Sequence, residues 1–128
     1  MNKNIKEGQM AKSIELRKDI YSLIKSEHER VFHRQASSTA QFPYIVYKIT
    51  DLGDSKELEI DYWDRNNSSE TIENLADNIE KLLDEEVVNS SEHSFIIYYN
   101  NDRKFVDDED KNIQRVNETF EIRYFRKE

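Results

Sequence analysis

Residues 58–64 read Leu-Glu-Ile-Asp-Tyr-Trp-Asp, and the alternation is the tightest constraint in the chain. Successive side chains of a strand point to opposite faces. Leu58, Ile60 and Tyr62 therefore share one side, Glu59, Asp61 and Trp63 share the other, and Asp64 falls opposite Glu59 and Asp61. A sheet containing this strand has one dry face and one wet face.

The segment before it, FPYIVYKIT, alternates in the same way. Ile45, Tyr47 and Ile49 oppose Tyr44, Val46 and Lys48, with Pro43 at the entry, where a missing N–H costs no ladder bond. Between the two lies DLGDSK, a turn in which Gly53 is free to take a positive φ. Residues 43–64 thus predict an antiparallel hairpin. Lys48 on the neighbouring strand is placed to pair with one of the acids on the wet face.

Two helices are available to cover the dry face. Leu16, Ile20, Leu23 and Ile24 recur at helical spacing between Ala11 and about Ser26. Ile72, Leu75, Ala76, Ile79, Leu82 and Leu83 form a cleaner apolar stripe, with Glu73, Asn74, Asp77, Glu80 and Lys81 opposite. Ser68 or Ser69 is placed to cap this second helix, which should end near Asp84. Val31 and Phe32 suggest a brief strand. After the second helix, SFIIYY is a continuous apolar strand, NNDRK a turn leading to Phe105 and Val106, and DDEDKN a charged loop. The last strand, RVNETFEIRYF, turns Val116, Phe120, Ile122 and Tyr124 inward and Thr119, Glu121 and Arg123 outward. Strands and helices do not alternate strictly. The expected fold class is therefore α+β, a mainly antiparallel sheet of about four to six strands with two helices packed on one face. Residues 1–9, polar and upstream of a second methionine at Met10, are expected to be a disordered extension, and residues 10–128 one domain.

The chain of 128 residues carries 19 basic and 27 acidic residues, a formal charge of −8. A general grip on nucleic acid needs a basic face, and the basic residues are scattered among acids. No apolar run approaches the ~20 residues that span a bilayer, and the opening residues have no apolar signal region. The absence of cysteine excludes disulfides and thiolate chemistry.

Sites of chemistry are scarce. Gly8 and Gly53 are the two glycines, and neither builds a phosphate loop. His28, His33 and His93 lack zinc-motif spacing and read as surface residues; no metal and no cofactor is expected. The acids Asp107–Asp110 lack the central glycine of a calcium loop and read as a solvated turn. Glu59 and Asp61 share a face, so a carboxylate pair is conceivable, but a solvated strand face is the simpler reading. Trp63, a large aromatic among charges, reads as a packing or interface anchor.

Three segments together, FPYIVYKI, LEIDYWDRNNSSETIENLADNIEKLLD and DDEDKNIQRVNETFEIRYF, resemble the tail-completion proteins of long-tailed bacteriophages, also called tail terminators or head–tail joining proteins. The resemblance spans about residues 35–126. It implies an α+β homo-oligomer, a ring of six subunits, that caps the tail-tube protein and meets the head-connector protein in the virion neck after assembly in the bacterial cytoplasm. It implies a non-enzymatic structural role, with DNA passing through the ring without specific binding and no membrane involved. An acidic balance suits such a lumen. Candidate assembly contacts, chosen by position, are the hairpin turn with Asp51, Asp54 and Lys56; Trp63 with Arg65; the turn at Asp102 and Arg103; and the acidic loop with Asp107, Asp108 and Asp110. The competing reading is a small acidic intracellular bacterial binding or regulatory protein without catalysis, with an enzyme third.

Overall fold

The computed structural model describes residues 12–127; the extension expected over residues 1–9 lies outside them. The elements run α1 (Lys12–Lys25), β1 (Val31–His33), β2 (Tyr44–Asp51), β3 (Lys56–Arg65), α2 (Glu70–Leu83), β4 (Val87–Asn89), β5 (His93–Tyr99), β6 (Lys104–Phe105) and β7 (Ile113–Arg126). Seven strands form one sheet in the order β1-β2-β3-β7-β5-β4, with β6 pairing β7. The fold is α+β, and every pairing is antiparallel except β1 with β2.

The β2–β3 hairpin has the register its alternation demands: Ile45 faces Tyr62, Tyr47 faces Ile60 and Ile49 faces Leu58. Gly53 takes φ +94 in its turn, and its amide donates to Asp51 Oδ1 (3.0 Å). The 14-residue β7 is the centre of the sheet, paired with β3 along residues 113–122 and with β5 along residues 120–126. The inner face carries Ile45, Tyr47, Leu58, Ile60, Tyr62, Val116, Phe120, Ile122, Phe95 and Ile97, all buried. Leu16, Ile20 and Ile24 of α1 and Ile72, Ala76, Ile79 and Leu83 of α2 close over it to form a single core.

Details depart from the sequence expectations at the edges. β4 has no sequence signal of its own, and its three residues become a strand by pairing with Ser94–Ile96 of β5. β1 is parallel to β2 because the chain between them, residues 34–43, crosses back rather than turning as a hairpin. Ser69 is the N-cap of α2 yet makes no side-chain cap bond; its hydroxyl donates to Glu73 (2.6 Å), while Ser68 Oγ accepts the Glu70 amide (3.2 Å). The histidines are not all surface residues. His93 is buried, bonded through Nε2 to Asp19 of α1 (2.5 Å) and through Nδ1 to the Tyr124 hydroxyl (3.0 Å), because β5 presents it to the face that α1 covers.

Candidate functional site

The outer sheet face holds the residues the sequence singled out as a possible carboxylate pair. Glu59 and Asp61 of β3 lie across from Thr119 and Asn117 of β7. Asn117 Nδ2 donates to both, at 2.7 Å to Glu59 and 3.0 Å to Asp61. Lys48 pairs with Glu59 (3.2 Å) and Arg115 with Asp61 (3.0 Å). Burial pushes Glu59 up, but hydrogen bonds from Asn117 and Lys48 and the positive charges of Lys48 and Lys104 together leave its pKa below the ordinary carboxylate value. A general acid needs the opposite shift. The two carboxylates are therefore neutralised members of a cross-strand polar ladder.

An aromatic cluster continues this face. Trp63 stacks on Tyr44 (centroids 6.1 Å apart, planes at 17°), and the Arg115 guanidinium lies 4.5 Å over the indole. Tyr44 in turn meets Phe32 and Phe42, and Arg65 sits over the Phe42 ring. These rings are half-buried. A cleft of about 340 Å³ opens beside them, with Tyr44, Trp63, Arg115 and Asp61 in its wall. Trp63 thus belongs to the outer face and stands apart from the core.

The other candidate contacts divide between the two ends of the hairpin. At the turn, Asp51 pairs with Lys56 (3.1 Å), and Asp54 is exposed. At the far end, Arg65 pairs with Asp110 (2.9 Å), and the Asn66 amide donates to the Asn112 carbonyl (2.7 Å), which docks the acidic loop against the end of β3. Asp107 and Asp108 are exposed in that loop. The structure therefore joins Trp63, Arg65 and Asp107–Asp110 into one region and leaves the Asp51–Lys56 turn at the opposite end.

Asp102 and Arg103 sit elsewhere and are occupied within the molecule. β5 leaves β7 at Phe120 and β6 joins it at Asn117, so the Thr119 amide has no strand partner between them. Asp102 Oδ1 accepts that amide (2.8 Å), and Oδ2 accepts the Thr119 hydroxyl. Arg103 turns inward beneath α2, donating to Asp77 (2.7 Å), to Glu80 and to the buried Glu118 (3.4 Å). The helical spacing alone places Asp77 and Glu80 on the solvated side of the helix.

Glu118 itself was missed. It occupies an inward position of β7, wholly buried, where it accepts the Tyr62 hydroxyl (2.6 Å) and meets Glu80. Burial, then the hydrogen bond to Glu80, raise it to about 8, so it holds its proton at neutral pH. The signal was available: Glu118 lies midway between Val116 and Phe120, and period-two alternation places it on the core face. Its partners come from α2, β3 and the β5–β6 turn, which no local pattern links.

No family model and no curated protein sequence matches the chain. Among solved structures, a chain from the virion of a native gene transfer agent particle matches over 82% of this chain and 90% of its own, with a TM-score of 0.62 and 11% identity. The fold is shared with a virion component. At that identity the likeness is one of architecture, and it spans nearly the whole of the neighbour.

Proposed function

We propose that the protein is a structural component of a phage-like virion that terminates the tail tube and joins it to the head connector as a closed ring. The observation that carries this reading is the fold shared with a gene transfer agent virion chain along 90% of that chain. The tail-completion resemblance of three segments spread along the sequence points the same way. The sheet suits assembly: among the described residues β1 and β4 end the strand path with no strand on their outer edges, and exposed edges are templates for association. On the outer face, Trp63 and its aromatic neighbours supply rigid area of the kind that anchors interfaces. Glu59 and Asp61, being neutralised, add no catalytic demand to that face.

Light scattering at several concentrations, followed by negative-stain imaging, tests the proposal. Rings of about six copies of the 15.4 kDa chain have a mass of about 90 kDa under closed cyclic symmetry. A strict monomer that also fails to retain tail-tube subunits in a pull-down refutes the ring and favours a small acidic binding protein.

A further inference from the structure

One cleft among the described residues is basic in a protein of charge −8. It measures about 470 Å³ and lies between α1 and the turn end of the hairpin, where Arg17, His33, Arg34, Lys48 and Lys56 line it with Asp51. Lys48 and Lys56 are paired, with Glu59 and Asp51. The guanidinium groups of Arg17 and Arg34 have no ion-pair partner among the described residues. Their field is felt locally: after burial, these two cations are the next causes that hold His33 below its ordinary pKa. Two arginines in a walled cleft, without an ion pair among the described residues, are a site for carboxylates or phosphates.

The complementary charge is on the same molecule, out of its own reach. In the acidic loop, Asp110 is paired with Arg65, whereas Asp107, Asp108 and Glu109 are exposed and make no ion pair among the described residues. Lys56, in the cleft, begins β3, and Arg65, at the loop, ends it. Ten residues of strand separate the two by roughly 30 Å, so the loop cannot reach the cleft of its own subunit. Opposite ends with opposite charge make a head-to-tail contact, the geometry that closes into rings.

We infer that the Arg17–Arg34 cleft of one subunit receives the Asp107–Glu109 loop of a second copy of this chain. The inference rests on the ring reading and supplies its subunit contact.

Charge reversal tests it. The wild-type assembly mass is measured first by light scattering in low salt. Two variants, Arg17→Glu/Arg34→Glu and Asp107→Lys/Asp108→Lys/Glu109→Lys, are each expected to repel themselves and fall about sixfold in mass to monomer, with unchanged circular dichroism. Mixed in equal amounts they should regain the assembly, since each cleft then meets a loop of opposite sign. Wild-type mass in both single variants, or loss without recovery on mixing, overturns the contact while leaving the ring standing. A wild type that is monomeric at every concentration also overturns it, and the tail-tube pull-down then judges the ring reading separately. Binding of a labelled oligonucleotide that is abolished by Arg17→Glu/Arg34→Glu reassigns the cleft to phosphate and likewise overturns the inference.

Discussion

Replacing Glu118 by glutamine should flatten the pH dependence of stability across the neutral range. Glu118 is wholly buried among Tyr62, Glu80 and Arg103, and its pKa in the folded protein is about 8 against an ordinary 4.5. The folded state therefore holds a proton that the unfolded chain releases. The stabilisation is complete below pH 4.5 and is lost as pH rises to about 8. Each pH unit in that window is worth about 1.4 kcal/mol, which sets a ceiling of about 5 kcal/mol on the whole loss. Glutamine keeps the shape and the acceptor for Tyr62 but has no proton to lose. Urea unfolding from pH 5 to pH 9 reads the difference between wild type and Glu118→Gln. Titrating groups remote from Glu118, His33 among them, cancel in that difference. Near pH 5 the two should agree within about 1 kcal/mol. By pH 8 to 9 the variant should be the more stable, by up to about 2 M in urea midpoint for a slope of about 2 kcal/mol/M. A difference that stays flat across the range refutes the buried-proton reasoning.

Arg103→Leu strips the cation from Asp77, Glu80 and Glu118. It should cost about 3 kcal/mol, and more at pH 9 than at pH 6, where Glu118 is still protonated; equal urea midpoint losses at both pH values would count against this cluster. Asp102→Ala removes the acceptor that fills the ladder gap at Thr119 and should cost about 1–3 kcal/mol, with faster hydrogen exchange at the Thr119 amide as the local readout. Trp63→Ala should lower the mass of the assembly while costing the subunit about 1 kcal/mol, the worth of an aromatic pair; a subunit that fails to fold would place the indole in the core. Phe120→Ala, at the centre of the buried face, should cost about 3–5 kcal/mol in thermal or urea unfolding.

Much of the fold was legible because period and burial are local properties. The alternation of residues 58–64 assigned Leu58, Ile60 and Tyr62 to the core and Glu59 and Asp61 to the outer face, and the structure agrees. The stripe from Ile72 to Leu83 identified α2, and inward Val116, Phe120 and Ile122 identified the central strand. Strand pairing beyond the hairpin was not legible. β7 lies between β3 and β5, and its register with β3 joins residues 48 to 66 positions apart, a choice made by whole-face packing. The short strands β4 and β6 exist through their partners alone.

The polar chemistry divides the same way. From sequence, Glu59 was a candidate and Lys48 its natural neighbour, because a hairpin sets that pair across two adjacent strands. Arg103 read as a turn residue and Glu80 as part of a solvated helix face. Only the closure of α2 over β3 and β7 brings both to Glu118, where burial changes what each group costs. The basic cleft is likewise a tertiary object. Arg17 and Arg34 are separated along the chain by the end of α1 and the whole of β1, and the fold sets them in one wall. By itself the sequence determined which face of each main strand and of the second helix is apolar, since that depends on spacing, but not the burial of single polar residues such as His93 and Glu118. The tertiary structure decided which charges are paired, buried or left facing outward, since Coulomb energy depends on distance and burial.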